Sequence, residues 1–352
     1  MAVLKYHNVG ITAMAACVPQ NVVHNRDLEA IMPAEEVEKV IESVGIHERR
    51  VCDDDTFASD LCYKAAKKLL EDNSIDPESI DMLLFMSQGA DYRIPATACI
   101  LQQRLGLSKN CAAMDLSLGC SGYVYALSTA MAYASVPGIN RVLLLDGEAF
   151  SKIVDPRDKV NAPLYGDAGT ATLVEKGEFG ESVFILHTDG SGEDAVKIPA
   201  GMRNRLTPEA LAVTEREDGN FRSDVEVYMD GMDVFNFAIK VVPKDIKAMM
   251  AETDTTIDDI DYLVFHQSNK FMTQFFVKKL KADPAKVPYC IGRFGNTSSA
   301  SVPLTIVSEL QGKLYAAARV VMCGFGAGLS WGTASVPFKD CKISSLIEYT
   351  HD

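Results

Sequence analysis

The chain lacks features that several large classes of protein require. Its 34 Lys and Arg residues are outnumbered by 48 Asp and Glu residues, for a net charge of −14, so it has no surplus of the positive charge that nucleic-acid binding needs. It has no apolar run of about 18 residues that could span a membrane, and its first residues are too mixed for a secretory signal. These absences predict a cytoplasmic protein that does not bind nucleic acid and has no membrane span.

Metal and cofactor motifs are also missing. Nine cysteines are scattered without a CxxC pair or a Cys/His cluster of zinc-site spacing, so we expect them to be reduced and mostly buried, and we expect no metal. The stretch "GFGAGLSWG" (324–332) departs from a dinucleotide-binding pattern because Leu329 stands where its third glycine belongs. This stretch is better interpreted as a tight turn that presents backbone N–H groups, as an oxyanion hole does.

What the chain does contain is an internal repeat. Ile80-Asp81 and Ile260-Asp261 each precede a short apolar strand, and they lie 180 residues apart (260 − 80). Two further pairs match in the same order at nearly the same interval, "NRVLLLDGEAF" with "ARVVMCGFGAG" and "LGCSGYVYALSTAM" with "FGNTSSASVPLTIV". The repeat predicts duplicated halves, 1–175 and 176–352, each of alternating strands and helices with largely parallel sheets.

Cys120 follows a strand pattern and precedes a helix pattern. The unpaired N–H groups and the positive dipole end of a helix start favour a thiolate, which is a good nucleophile for thioester exchange. A small buried cysteine is the alternative. Asn296 occupies the matching place in the second half, where it could also serve only as a helix cap.

His266 stands directly after the apolar run "YLVF", in the cluster "HQSN". The carboxyl end of a strand is where α/β proteins place active groups, and a polar cluster there needs a cavity or partners. A capping or loop histidine is the alternative for this residue taken alone. If the halves pack face to face, Cys120, His266 and Asn296 share one pocket.

These motifs occur in the order typical of β-ketoacyl-acyl-carrier-protein synthase III, and the chain resembles that family over nearly its whole length. The resemblance rests on "GCSGYVYAL", "YGDAG", "HQSN", "GNTSSASVP" and the closing "GFGAGLSWG". It implies a thiolase-like duplicated α/β fold with five αβαβα layers, and a homodimer. No metal or organic cofactor is implied.

The resemblance also implies roles for individual residues. Cys120 would accept an acyl group from acyl-CoA or an acyl carrier protein, and His266 and Asn296 would stabilise the enolate formed when malonyl carrier protein loses CO₂. The backbone N–H groups of Cys120 and Ala327 would form the oxyanion hole. Gly326 and Gly328 in the same turn would contact the substrate.

Other positions depart from the family pattern. Lys39 stands where a tryptophan often stacks on the CoA adenine, and Lys159 and Met232 occupy two further positions that contact CoA. These changes favour a carrier-bound or unusual acyl donor. Ile94, before Pro95, would line the partner's acyl pocket in place of a larger aromatic residue, which favours a longer or branched acyl chain.

A carrier-docking patch is partly kept. Lys278 and Lys279 match the family's paired lysines, whereas Phe271 replaces its arginine and Lys270 lies beside it. A local positive patch suits an acidic carrier protein, although a solvated helix face is the alternative. The motifs thus favour a decarboxylating ketosynthase of fatty-acid or specialised lipid and polyketide synthesis. The alternatives are an acyltransferase of the same fold that acts on a hydroxyl or amine, and a non-catalytic partner subunit.

Overall fold

The computed structural model describes residues 2–351. The strands are β1 (Ala2–Tyr6), β2 (Val9–Pro19), β3 (Val22–His24), β4 (Glu48–Arg50), β5 (Met82–Met86), β6 (Ala112–Leu116), β7 (Arg141–Glu148), β8 (Ala168–Lys176), β9 (Ser182–Thr188), β10 (Val196–Lys197), β11 (Thr214–Glu215), β12 (Phe221–Arg222), β13 (Tyr228–Met229), β14 (Tyr262–Phe265), β15 (Ala318–Gly326), β16 (Ser330–Phe338), β17 (Lys342–Ile343) and β18 (Ile347–Tyr349).

The α-helices are α1 (Ala34–Val44), α2 (Ala58–Asp72), α3 (Thr97–Arg104), α4 (Gly122–Ser135), α5 (Pro208–Leu211), α6 (Gly231–Glu252), α7 (Lys270–Leu280), α8 (Ile291–Phe294) and α9 (Ser301–Glu309). The 3₁₀ helices are Asn25–Ala30, Pro77–Ser79, Phe150–Ile153, Gly190–Gly192, Ile257–Asp259, Pro284–Lys286 and Ser298–Ala300.

Two larger sheets organise the described residues. The first has the order β17-β2-β8-β7-β5-β6, with β18 also paired to β2, and the second has the order β1-β9-β16-β15-β14. The chain passes from the first sheet to the second between β8 and β9. Strand β1 joins the second sheet and β17 and β18 join the first, so each sheet takes terminal strands from the other end of the chain. The division at 175 remains an interpretation of the sequence repeat.

Helices form three layers around these sheets. α4 and α9 lie between the sheets, where Tyr123 and Val302 belong to one shared apolar core. α2 and α3 cover the outer face of the first sheet, and α6 and α7 cover the outer face of the second. α4 carries no charged residue because sheets pack against both of its sides. The result is the five-layered αβαβα arrangement that the resemblance implies.

The expectation of largely parallel sheets is wrong for the second sheet. Only the β14–β15 pair in it is parallel among the described strands, whereas β15–β16, β16–β9 and β9–β1 are antiparallel. The short turn at 327–329 explains the β15–β16 pair, since a connection of that length can join only antiparallel neighbours. The short apolar strands predicted after Ile80-Asp81 and Ile260-Asp261 are β5 and β14.

Within residues 2–351, no helix combines the length and the apolar character needed to cross a membrane.

Candidate active site

Cys120 lies in the turn that joins β6 to α4. The Gly122 N–H donates to the Gly119 carbonyl (2.7 Å), which closes the turn and starts the helix two residues after the cysteine. The side chain is half-buried and faces a cavity rather than the core. The predicted placement of Cys120 at a helix start is therefore confirmed.

Strand β15 of the second sheet lies against this turn. A Cβ built on Gly326 would lie 2.9 Å from Cys120 Cβ and 3.0 Å from Cys120 Sγ. A Cβ on Gly324 would lie 2.8 Å from the Ser121 Cα atom. Real Cβ atoms essentially never approach so closely, so both glycines are needed for β15 to reach the cysteine. The turn that follows then places Ala327 beside Gly119, whose Cβ would lie 3.6 Å from the Ala327 N atom.

His266 is held at the end of β14. Its backbone N–H donates to the Cys323 carbonyl (2.8 Å), so the strand pairing continues up to the ring. A 2.8 Å hydrogen bond joins His266 Nδ1 to Ser301 Oγ at the start of α9, and the ring packs edge-on against Phe325. These contacts fix the ring orientation, and the side chain borders the cavity.

Asn296 is fixed by Leu164 and Gly166 of the first half, at the start of the "YGDAG" segment. Its backbone N–H donates to the Leu164 carbonyl (2.8 Å), and its carbonyl accepts from the Gly166 N–H (3.1 Å). Its side-chain Oδ1 accepts from the Ser298 N–H (2.9 Å), and Ser298 Oγ in turn lies 3.7 Å from Cys120 Sγ. Oδ1 therefore faces the backbone, which leaves the Nδ2 group of Asn296 to donate into the cavity.

The three predicted residues border one cavity. It has a volume of about 530 Å³, and Cys120, His266 and Asn296 line it together with Gly326 and Ala327. Much of the remaining wall is apolar, with Phe150, Val227 and Met229 among its residues, and such a wall suits a hydrocarbon chain.

Burial decides the protonation of the two titratable groups. It raises the pKa of the Cys120 thiol to about 11, although hydrogen bonds from Ser298 and from the Cys120 and Ala327 backbone oppose the shift. It lowers the pKa of His266 to about 3, against a hydrogen bond with the Ser298 backbone. Desolvation therefore opposes the resting thiolate that the donors at the helix start favour. At neutral pH the site holds a thiol and a neutral imidazole.

Similarity to known proteins agrees with this geometry. The models for 3-oxoacyl-[acyl-carrier-protein (ACP)] synthase III and for its C-terminal part match residues 114–190 and 250–338. β-Ketoacyl-[acyl-carrier-protein] synthase III of Clostridium acetobutylicum is 34% identical over 93% of this chain and 98% of its own length. Synthase III 1 of Bacillus cereus is 34% identical over 94% and 98%. The chain belongs to the β-ketoacyl-acyl-carrier-protein synthase III family.

A solved structure supports the fold assignment. The 3-oxoacyl-(acyl-carrier protein) synthase from Burkholderia xenovorans LB400 is 37% identical, covers 99% of each chain and superposes with a TM-score of 0.93. The thiolase-like five-layered fold is therefore confirmed. The chain is a condensing enzyme of the synthase III type, an acyltransferase whose family acts in fatty-acid biosynthesis.

Of the residues predicted to contact substrate or carrier in this synthase III, some line the cavity and others lie on the surface outside it. Lys159 lines the cavity and is exposed at its mouth. Met232 is 67% exposed and does not line the cavity, although the preceding Gly231 does, and Gly328 is also exposed outside it. The Gly328 expectation is not supported by the shape of the cavity, because the turn directs Ala327, not Gly328, toward Cys120.

Ile94 is 85% exposed and does not line the cavity of its own chain. Lys270, Lys278 and Lys279 lie on α7 and are all exposed. Within residues 2–351, no ion pair is found for Lys278 or Lys279. These placements leave all four side chains free to meet another molecule, and none of the four contacts the cysteine pocket.

Two buried carboxylates in the synthase III site were missed at the level of sequence. Asp146 and Glu148 end strand β7, Glu148 lines the cavity, and both side chains are almost fully buried. The signal was present in "LLLDGEAF", where two acidic residues close an apolar strand. Ser298 and Ser301, which bond to the catalytic candidates, were also missed because nothing distinguishes them from the other serines of "GNTSSASVP".

Proposed function

We propose that this synthase III condenses an acyl group carried on Cys120 with a malonyl carrier protein, in the initiation of a fatty acid or of a specialised lipid or polyketide. The observation that supports this is the convergence of Cys120, His266 and Asn296 on one largely apolar cavity, with the β15–β16 turn against the thiol. The cysteine supplies a nucleophile, and the histidine and asparagine supply hydrogen bonds in the same cavity.

Acylation of Cys120 is the first step. Sγ attacks the carbonyl carbon of an acyl-CoA or acyl carrier thioester, the donor C–S bond breaks, and the thiol proton leaves with the departing sulfur. The oxyanion of the tetrahedral intermediate accepts hydrogen bonds from the N–H groups of Cys120 and Ala327. One such donor is typically worth roughly 10²–10³ in rate.

Decarboxylation and condensation follow. His266 and the Asn296 Nδ2 group donate to the thioester carbonyl of the malonyl group, so that the electron pair of the breaking C–CO₂ bond is stabilised as an enolate. The enolate carbon attacks the acyl-Cys120 carbonyl, Sγ departs, and the cysteine takes up a proton from solvent. A high thiol pKa favours this last protonation. No metal or organic cofactor enters any of these steps.

Features outside the pocket support the predicted partners. Lys278 and Lys279 on α7, with Lys270 at its start, present positive charge on a protein of net charge −14, which suits an acidic acyl carrier protein. Exposed Ile94 suits a homodimer in which this residue enters the partner's pocket. Lys159 at the cavity mouth suits the phosphate of a pantetheine-linked donor.

The test is an assay with malonyl carrier protein and a panel of acyl-CoA and acyl carrier thioesters of different length and branching. CO₂ and β-ketoacyl carrier protein should form together, and both should be lost in Cys120→Ala. An acylated acceptor without CO₂ release would instead indicate the acyltransferase alternative. Absence of product with every donor would contradict both.

A further inference from the structure

The end of β7 brings two carboxylates to one buried hydroxyl. Asp146 and Glu148 are separated by one residue, so their side chains point to the same face of the strand. Ser299 Oγ lies 2.6 Å from Asp146 Oδ1 and 3.4 Å from Glu148 Oε1. The acid groups are 0% and 1% exposed, so water does not screen one from the other.

The hydrogen bonds at this pair require an additional proton. The Ser299 hydroxyl has one proton to donate, and its shorter contact is with Asp146. The second oxygen of Asp146, Oδ2, is buried and has no partner within the described residues. Two ionised carboxylates cannot share such a site, because desolvation and their mutual repulsion both favour a neutral form. The pair therefore holds at least one proton.

The groups that face the pair do not supply a counter-charge. They are Cys62 from α2, Tyr123 from α4, and Cys120 beside Glu148, and none is a cation. Neutral His266 lies across the same cavity. Burial raises the pKa of Asp146 to about 8 and raises that of Glu148 well above its ordinary value, in agreement with the count of hydrogen bonds.

The pair also connects two loops of the pocket. Glu148 accepts from the Gln88 N–H (3.0 Å) and from Ser87 Oγ (3.3 Å). Both residues follow β5, and Gln88 borders the cavity. Ser299, held by Asp146, is next to Ser298, whose N–H binds Asn296 Oδ1 and whose hydroxyl reaches Cys120 Sγ. Strand β7 is thereby hydrogen-bonded both to the loop after β5 and to the 296–299 segment.

We propose that Asp146 and Glu148 form a protonated positioning pair that holds Ser299, and through it the 296–299 segment, so that the Asn296 amide is aimed at the malonyl thioester. This proposal rests on the proposed function of the site. Neither carboxylate acts on the substrate directly. Ionisation of both carboxylates would place two like charges beside Ser299 in a buried site and disturb the segment, so the decarboxylation half of the reaction should fail at alkaline pH before acylation of Cys120 does.

Two variants at Asp146 separate positioning from simple stability. Asp146→Ala removes the acceptor for Ser299, and we expect at least a tenfold loss of condensation with Cys120 acylation within threefold of wild type. Asp146→Asn keeps an acceptor and is permanently neutral, so condensation should return to within about threefold. In this variant the alkaline limb of the pH–rate profile for condensation should also shift upward by at least one pH unit. An Asn variant as impaired as Ala, or an unmoved alkaline limb, overturns the proposal.

Ser299→Ala tests the same link if Asp146→Ala does not fold. It should reproduce the selective loss of condensation. The matched control is Ser182→Ala, which also removes a buried serine hydroxyl but one without a hydrogen-bond partner within the described residues, on β9. Equal effects of these two variants, or an equal fall of acylation and condensation in Ser299→Ala, would mean that Ser299 is only structural.

Infrared spectroscopy detects the shared proton independently of activity. The C=O stretch of a buried protonated carboxyl should be present at pH 7, decline as the pH rises above about 8, and be altered in Asp146→Asn and in Glu148→Gln. Absence of that band overturns the proposal even if the enzyme condenses substrates. Presence of the band in an enzyme that yields no product would uphold the protonated pair and contradict the proposed function alone.

Discussion

A side chain at position 326 would place its Cβ 3.0 Å from the Sγ atom of Cys120. The two residues are 206 positions apart (326 − 120), and they come from different halves of the duplicated sequence. The close approach of Gly326 therefore means that a strand of the second sheet completes the environment of a nucleophile that the first sheet and α4 supply. The turn that carries Ala327, the proposed second oxyanion donor, follows directly after this contact.

Gly326→Ala should disable the thiol without unfolding the protein. The added methyl group would displace Sγ or the turn that carries Ala327, so we expect Cys120 acylation to fall by about 10²-fold, on the order of one lost oxyanion donor. Gly190→Ala, where a Cβ meets no atom within 4 Å, is the control and should acylate normally. Normal acylation in Gly326→Ala would contradict the assigned geometry.

Alkylation of Cys120 should report its raised pKa. Burial raises that pKa to about 11, so the thiolate fraction, and with it the iodoacetamide rate, should increase about tenfold per pH unit from pH 7 to about 10. Peptide mass spectrometry distinguishes this cysteine from the other eight. A plateau below pH 8 would show instead that the site stabilises a resting thiolate.

Asn296→Ala should separate the two half-reactions. The asparagine donates only to the malonyl thioester in this account, so acyl-Cys120 should form at near the wild-type rate while condensation falls by roughly 10²-fold. Rapid-quench mass spectrometry measures both steps. An equal loss of acylation would place Asn296 in the first step.

Charge reversal on α7 should weaken carrier binding alone. In Lys278→Glu/Lys279→Glu, KM for malonyl carrier protein should rise about tenfold, and the effect should shrink at high salt because the ions screen exposed charges. Acylation by a small acyl thioester without a carrier should be unchanged. Lys67→Glu, on α2 over the other sheet, is the control. If KM for malonyl carrier protein does not change, the α7 lysines belong to a solvated helix face and do not bind the carrier.

Asp146 should make stability depend on pH. Burial raises its pKa to about 8, so between about pH 4 and pH 8 the folded state binds more protons than the unfolded state. The free energy of unfolding therefore falls as the pH rises through that window, by up to about 1.4 kcal/mol per pH unit for one proton. Asp146→Asn should reduce this slope in urea titrations. Equal slopes would mean that Asp146 is ionised when folded.

Much of the site could be predicted from the sequence because local pattern and repeat both pointed to it. The apolar runs after Ile80-Asp81 and Ile260-Asp261 matched each other in the repeat, and the register between the halves aligned Cys120 with Asn296. His266 followed from its place at the end of an apolar strand. The placement of these three residues could be predicted because it depended on local strand and helix patterns and on the match between the two halves.

The rest depended on packing that no single element reveals. Desolvation of Cys120 comes from β15 and from the cavity walls, so the sequence favoured a thiolate that burial opposes. The antiparallel β9, β15 and β16 depend on which strands become neighbours. Asp146 and Glu148 resembled an ordinary polar strand end until Ser299, more than 150 residues away, was placed between them.

The most direct test of the central claim is a chase of preformed acyl-enzyme. The protein is acylated with one thioester donor, freed of excess donor, mixed with malonyl carrier protein and followed by intact and peptide mass spectrometry. We predict one acyl group on Cys120 that disappears as equal amounts of CO₂ and β-ketoacyl carrier protein form. An acyl group on another residue, or one that persists or is released as the free acid, would contradict the account.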